Sequence, residues 1–169
     1  RRGLLRPGDS PNTMTTNAEK EYVRKAHQLA EAALESGNPP FGSLLALDGS
    51  VIESDTNTTI TDEDITAHPE LKLARYAARE LTPEERAACT MYTSTEPCSM
   101  CASAIYYADL GRVVYSVSGS SLPRVREDRG IDIACEEVID RGDGTTTIEG
   151  PVLEEAGLEI LGRFYDGGE

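Results

Sequence analysis

Two short motifs, His68-Pro69-Glu70 and Pro97-Cys98-Ser99-Met100-Cys101, contain the side chains best suited to metal chemistry. Histidine and cysteine are scarce, since the chain of 169 residues has only 2 histidines and 4 cysteines. A single Cys-x-x-Cys motif fits a redox pair, half of a structural zinc site or part of a catalytic one. A closed structural site needs four protein ligands, whereas His68, Cys98 and Cys101 make three. Three protein ligands and one position for water are typical of catalytic zinc.

The proline in each motif predicts how a helix presents these side chains. Pro69 favours the first position of a helix and keeps His68 out of helical conformation, so His68 should lie at the helix entry. Pro97 is likewise predicted to be a first helical residue, which places Cys98 and Cys101 on one face of the opening turns. The positive end of the helix dipole lowers the pKa of thiols there and favours metal binding.

Glu70 is predicted to transfer protons beside the metal. Zinc lowers the pKa of a bound water, and a neighbouring carboxylate can accept the proton and pass it to a leaving amine. With His68 as a cap and Glu70 in the first turn, both side chains can reach the same water. The alternative for Glu70 is a first-turn residue that only stabilises the helix dipole.

His-x-Glu followed by Pro-Cys-x-x-Cys resembles the signature of the zinc-dependent cytidine and nucleobase deaminases. The resemblance covers residues 22–117 and is to the branch that holds guanine deaminases, free cytosine deaminases and tRNA adenosine deaminases. Besides the two motifs, it rests on Pro40-Phe41-Gly42, Asn57, Thr66-Ala67, the segment 92–96 and Ala104-Ile105-Tyr106.

The resemblance implies a fold, a cofactor and roles for four residues. The fold is a three-layer α/β/α sandwich with a central five-stranded mixed sheet. Members of the family hold one zinc ion per chain and usually form homodimers. His68, Cys98 and Cys101 match the zinc ligands of the family. Glu70 matches its proton shuttle.

Three further residues match positions that contact the base. Asn57 would hold the base through its carboxamide, Phe41 would lie beside the base, and the backbone of Ala67 would contact a ring carbonyl. Without the family, a turn at the end of a strand explains Asn57, and core packing explains Phe41 equally well.

The reaction that the resemblance implies is hydrolytic deamination with release of ammonia. The expected substrate is a free nucleobase or a related amino-heterocycle of the cytosine, guanine or amino-triazine type. Relatives often supply an acidic contact to the base from the region after Val117, and the candidates there are Asp128, Asp132, Glu136 and Glu137.

The charge balance disfavours a nucleic-acid partner. The chain has 30 acidic and 16 basic residues and a net charge of -14, whereas phosphate binding needs clustered Lys and Arg. A tRNA adenosine deaminase is the first alternative, for which Arg124, Arg126 and Arg129 form a small basic cluster. Alternatives of another class are a non-catalytic structural zinc module and a redox pair. The acidic, lysine-poor composition also fits a halophilic source.

The chain shows no targeting or membrane segment. No apolar run approaches the roughly 18 residues that a membrane span needs, and no apolar stretch of a secretory signal follows Arg1-Arg2. We therefore expect a cytoplasmic protein. Residues 1–13 are predicted to be a tag or disordered tail, and residues 14–169 a single deaminase domain. In a reducing compartment, Cys89 and Cys135 are not expected to form a disulfide, Cys89 is predicted to be a buried thiol, and Cys135 has no assigned role.

Periodicity and turn signals predict the elements that position the motifs. Thr16 and Glu19 have the spacing of a capping box for a first helix that ends near Gly37. Asp48-Gly49 predicts a hairpin. The strands of the hairpin are 43–47 and 51–57. Two further helices are predicted at 69–80 and 97–108, and two further strands at 88–94 and 112–117. After Ser118 the signal is weaker, with a short strand predicted at 145–149 and a short helix at 152–156. Leu71, Ala74, Ala78 and Leu81 are predicted to face inward.

Overall fold

The computed structural model describes residues 15–127 and 130–167. The interpretations of residues 1–13, Asp128 and Arg129 therefore lie outside the described residues. The elements are α1 Asn17–Glu35, β1 Gly42–Leu47, β2 Ser50–Thr56, α2 Pro69–Glu80, α3 Pro83–Ala88, β3 Thr90–Thr95, α4 Ser99–Tyr107, β4 Arg112–Val117, a 3-10 helix Gly119–Arg124, α5 Cys135–Asp140, β5 Thr147–Glu149 and α6 Glu154–Tyr165.

The five strands form one mixed sheet in the order β2-β1-β3-β4-β5. β1 is antiparallel to β2 and β3, whereas β3, β4 and β5 run parallel. Successive side chains of a strand point to opposite faces, and the two faces are covered by different helices. Leu45, Met91 and Val113 pack towards α2, α4 and α5, and Leu44 and Val114 pack towards α1. The predicted three-layer sandwich with a five-stranded sheet is confirmed.

The first helix and the hairpin form as predicted. Thr16 and Glu19 make both hydrogen bonds of the capping box, and Gly37 follows the helix with φ +85°. Asp48 and Gly49 both have positive φ, at 52° and 78°. A two-residue turn with two positive φ values twists in the sense that the strands of a hairpin require.

α2 has the predicted bounds, but its inward face was assigned wrongly in part. Leu73, Ala74 and Ala77 are buried together with Glu70, whereas Ala78 is exposed and Leu71 is half-buried. The buried stripe begins at the polar Glu70, which an apolar pattern does not count, so the predicted stripe started from Leu71 instead.

Two boundaries after α2 differ from the prediction. The sequence pattern predicts a strand from Ala88, but Ala88 ends α3, a short helix that Thr82 and Glu85 begin with a capping box. α3 has no buried residue, so hydrophobic periodicity gives no signal for it. β3 then spans Thr90–Thr95.

The region after Val117 departs most from prediction. The 3-10 helix and α5 were not predicted, and the strand predicted at 145–149 is only Thr147–Glu149. The helix predicted at 152–156 is α6, which runs from Glu154 to Tyr165 because Leu158, Ile160 and Leu161 extend its buried face. No helix within the described ranges is long and apolar enough to cross a membrane.

Candidate metal centre

The carboxyl ends of β2 and β3 bring the two motifs to one edge of the sheet. β1 is antiparallel to both of these strands, so the chain leaves β2 and β3 at the same edge. The segment after β3 leads directly into α4. Because α2 packs beside α4, the N-termini of two helices converge on this edge.

His68 and Cys98 are the N-cap residues of these two helices. His68 has φ -80° and ψ 141°, the extended conformation that Pro69 imposes on its predecessor. Cys98 is also extended, with φ -64° and ψ 170°. Pro97 therefore precedes the cap and is not the first helical residue as predicted. Cys101 is the third residue of α4, so its side chain lies above the cap on the same face.

His68, Cys98 and Cys101 form a compact set of donor atoms. Their ligand atoms all lie within 4.8 Å of one another. His68 Nδ1 is 3.7 Å from Cys98 Sγ and 3.5 Å from Cys101 Sγ. A tetrahedral zinc ion with usual bond lengths separates a nitrogen and a sulfur ligand by about 3.6 Å. The imidazole and the two thiols therefore fit one zinc ion, and no further such group occurs among residues 15–127 and 130–167.

The two thiols of the cluster differ in proton affinity. Hydrogen bonding from Cys101, together with that from His68, lowers the pKa of the Cys98 thiol to about 4. The hydrogen bond with Cys98 and burial raise the pKa of the Cys101 thiol, and the hydrogen bond with Cys98 raises the pKa of the His68 imidazole. A bound divalent cation favours the thiolate form of both cysteines.

Glu70 lies in the first turn of α2, directly behind this cluster. Its side chain is 5% exposed, and this burial raises the pKa of its carboxyl group. Its Oε1 accepts hydrogen bonds from Thr93 Oγ1 at 2.9 Å and from Ser43 Oγ at 3.2 Å. The carboxyl group is therefore held in one orientation, out of bulk water.

Ser43 and Thr93 are site residues that the sequence analysis missed. They are paired directly across β1 and β3, both are fully buried, and their hydroxyl oxygens are 2.7 Å apart. A buried hydroxyl needs a hydrogen-bond partner. A single hydroxyl residue in the otherwise apolar strand β1 was therefore the available signal that a polar group faces it.

Asn57 and Ala67 are linked through Thr58, the residue that follows Asn57. Thr58 N–H donates to Ala67 O at 3.1 Å. Asn57 is buried, and its Oδ1 accepts from the N–H of Thr59 at 2.9 Å. Asn57 therefore forms a turn. Ala67 N–H donates to Asp64 O, and the contacts of Asn57 and Ala67 with a base stay predictions.

Phe41 lies next to Asn57, whose N–H donates to Phe41 O at 2.9 Å. Its half-buried ring packs against Val117, Leu158 and Leu161. This is the core-packing alternative for Phe41, and contact with a base stays a prediction. The acidic candidates Asp132, Glu136 and Glu137 are exposed.

The other two cysteines are separate from the cluster. Cys89 and Cys135 are buried free thiols of the core under α2 and α4. Burial raises the pKa of Cys89 to about 11 and that of Cys135 to about 12. Both thiols are therefore protonated near neutral pH, unlike the Cys98 thiol.

Comparison with known proteins identifies the region that holds both motifs. Residues 16–117 match the family described as the cytidine and deoxycytidylate deaminase zinc-binding region. This match covers more than half of the chain and includes His68, Glu70, Cys98 and Cys101.

Individual relatives differ in the substrates that their names state. A probable cytosine deaminase of Schizosaccharomyces pombe is 25% identical over 161 residues, which are 93% of this chain and 98% of the relative. A tRNA-specific adenosine deaminase of Agrobacterium fabrum is 40% identical over 86 residues, which are 51% of this chain and 57% of the relative. A solved guanine deaminase from Nitrosomonas europaea shares the fold, with a TM-score of 0.73 at 21% identity over 97% of each chain. The chain belongs to the zinc-binding cytidine and deoxycytidylate deaminase family.

Proposed function

We propose that this deaminase acts on a free nucleobase or a related amino-heterocycle of the cytosine, guanine or amino-triazine type and releases ammonia by hydrolysis. The observation that carries the proposal is the buried Glu70 carboxyl group, two residues after His68 of the cluster that fits zinc. A glutamate that only stabilised the helix dipole would have no need to leave water, because burial of a carboxylate is costly.

Glu70 is assigned the proton transfers of the reaction. The chemistry that zinc supplies at such a site is a water nucleophile at neutral pH. Oε1 of Glu70 is occupied by the Thr93 and Ser43 hydroxyls, so we assign proton transfer to Oε2. The raised pKa of the carboxyl group suits a residue that holds a proton and then delivers it to the leaving amine.

Asn57, Ala67 and Phe41 are proposed to bind and orient the base. Asn57 Oδ1 accepts hydrogen bonds from Thr59, which leaves the Nδ2 amide hydrogens as the donors for a ring nitrogen or carbonyl. The acidic candidates in the region after Val117 are proposed to face the other edge of the base.

Charge supports a free base over a nucleic acid. The net charge is -14, and Arg124 is paired with Glu155 at 2.9 Å. Arg126 lies over the Tyr165 ring at 6.0 Å. Two members of the small basic cluster are thus engaged within the protein. A tRNA substrate is the second candidate, favoured by the similarity to the Agrobacterium fabrum tRNA-specific adenosine deaminase.

An ammonia-release screen tests the proposal. The substrates are cytosine, isocytosine, guanine, adenine, their nucleosides, amino-triazines and a short anticodon stem-loop, each at low and at high salt. We expect turnover of at least one free base. Turnover of the stem-loop alone would instead favour the tRNA substrate.

Glu70→Gln provides the test of mechanism in the same assay. General acid–base catalysis contributes about 10²- to 10⁴-fold, so we expect a loss of that size while zinc remains bound. Glu80→Gln, on the exposed end of the same helix, is the matched control and should keep wild-type turnover. Undiminished turnover in Glu70→Gln would contradict the role of Glu70, and a non-catalytic zinc module predicts no turnover by any variant.

We also infer the setting in which the enzyme works. A single deaminase domain over residues 14–169, a homodimer and a cytoplasmic location agree with the family resemblance, and the four free cysteines suit a reducing compartment. Sedimentation of the purified protein tests the dimer.

A further inference from the structure

One carboxylate next to the metal centre binds the backbone of two distant segments. Glu96 lies between β3 and Cys98. Its Oε2 accepts a hydrogen bond from Gly119 N–H at 2.7 Å, and its Oε1 accepts one from Cys135 N–H at 2.9 Å. Gly119 begins the 3-10 helix, and Cys135 begins α5. The Glu96 carboxylate thus accepts hydrogen bonds from both ends of the stretch between Gly119 and Cys135.

The bond to Cys135 replaces a helix cap. The N-cap residue of α5 is Ala134, which has no side chain that could accept a hydrogen bond. The first N–H groups of a helix lack partners within the helix, and Cys135 is fully buried. Glu96 therefore satisfies a backbone donor that water does not reach.

Only a carboxylate can make both bonds. It has acceptors on both oxygens and no donor, whereas a glutamine of the same shape turns an NH₂ group towards one of the two N–H donors. A Cβ atom at Gly119 would lie 3.2 Å from Glu96 Oε2, so the backbone approaches the carboxylate closely. Glu96 is thus matched to its two N–H partners in hydrogen-bonding capacity and in space, and its Oε2 also accepts from Ser118 Oγ at 3.5 Å.

The main chain of Glu96 extends this connection to the metal ligands. Glu96 N–H donates to Val117 O at 2.7 Å, which continues the β3–β4 pairing up to Pro97. The rigid Pro97 then leads into Cys98. The positions of the 3-10 helix and α5 are therefore coupled to the turn that carries a metal ligand.

We propose that Glu96 is a positioning residue that fixes the 3-10 helix and α5 against the Cys98 turn, so that these segments form one wall of the substrate pocket. The inference about the pocket rests on the proposed deamination of a small base. α5 and its approach carry the exposed carboxylates Asp132, Glu136 and Glu137, so Glu96 also sets the distance of these acidic groups from the base.

The test combines hydrogen exchange with kinetics on zinc-loaded Glu96→Gln. Loss of one such hydrogen bond corresponds to about a tenfold change in local opening. We expect the amides of Gly119 and Cys135 to exchange about tenfold faster, and KM for the free base to rise about tenfold. The value of kcat and the zinc content should stay near wild type. Glu159→Gln, at an exposed position on α6, is the matched control.

Gly119→Pro is the second variant. Proline is tolerated at the first position of a helix, and Ser118 already has the extended conformation that it requires. This variant removes the N–H that bonds to Glu96 Oε2 and puts the proline ring against the carboxylate, where a Cβ atom alone would lie 3.2 Å from Oε2. We expect it to raise KM in the same direction and to speed exchange at Cys135 as well, because the carboxylate must move away.

The outcomes separate this inference from the proposed function. Unchanged exchange at Gly119 and Cys135 in Glu96→Gln overturns the positioning role, whatever the substrate. Faster exchange with an unchanged KM overturns the pocket wall. An equal loss of kcat and of zinc would show that Glu96 acts only through the fold of the metal site. Failure of the wild-type enzyme to deaminate any free base would contradict the proposed function, while the exchange measurement still tests the two hydrogen bonds.

Discussion

The parts of the chain before and after Ser118 are held in place by different kinds of contact. Residues 16–117 contain four of the five strands, each paired with a neighbour over four to six residues, with helices across both faces. Residues 118–127 and 130–167 contain a three-residue strand, two short helices and α6. This second part packs on the first through β5 and through the buried faces of α5 and α6. It also has close attachment points, such as the Glu96 carboxylate and Gly157.

The candidate catalytic groups and the residues proposed to shape the pocket lie in different parts of the chain. The cluster that fits zinc and the carboxyl group of Glu70 lie entirely in residues 16–117, on elements fixed by ladders and by proline. Residues 118–167 are proposed to shape the pocket and have no member of the cluster. Changes at the attachment points should therefore alter stability and substrate binding before they alter the chemical step.

Gly157→Ala should have the largest effect on the attachment of the second part. A Cβ atom there would lie 2.5 Å from Val117 Cγ2 and 3.0 Å from Ser116 Oγ. We expect the free energy of unfolding to fall by about 1–3 kcal/mol, as in other overpacked sites, although alanine is otherwise the better helix former. Urea unfolding measures the change.

Gly162→Ala in the same helix is the control. Its Cβ atom would lie 3.3 Å from the end of the flexible Asp166 side chain, which can move aside. This variant should be as stable as wild type or more so. Equal stability of the two alanine variants would contradict the close attachment of α6 at Gly157.

His27→Gln should have a smaller effect that depends on pH. His27 Nε2 is 2.7 Å from Ser116 Oγ, and this hydroxyl donates to Leu153 O, so the three residues join α1, β4 and the start of α6. Burial lowers the pKa of His27, an effect that Arg24 adds to and Glu31 opposes. The unfolded chain therefore binds a proton at His27 more readily than the folded protein does. The stabilisation that neutral His27 contributes is lost as the pH falls below about 6.5.

The variant isolates this contribution because it keeps every other titrating group. The free energy of unfolding, measured from pH 8 to pH 5, should fall less steeply for His27→Gln than for wild type. If the free energy of unfolding falls with pH equally steeply in both proteins, the pH-dependent contribution of His27 is contradicted.

Elements with a local signal could be predicted from the sequence. The Thr16 capping box, the Asp48-Gly49 turn and the position of Pro69 specify structure within a few residues, and the corresponding elements form as predicted. The spacing of His68 and the two cysteines likewise predicts the metal-binding set that the structure brings together.

Elements without a local signal could not be predicted. α3 buries nothing, and the start of α5 depends on a carboxylate far away in sequence. The pairing of Ser43 with Thr93 behind Glu70 depends on the register of two strands. The packing of Phe41 depends on α6, whose extent the sequence did not indicate.

Zinc analysis of four single Cys→Ser variants tests most directly whether His68, Cys98 and Cys101 form the metal centre. The wild-type chain should hold one zinc ion. Cys98→Ser and Cys101→Ser should fall well below one zinc ion per chain, whereas Cys89→Ser and Cys135→Ser, whose thiols lie in the core, should still bind one. Full zinc content in Cys101→Ser, or its loss in a folded Cys89→Ser, would contradict this metal centre.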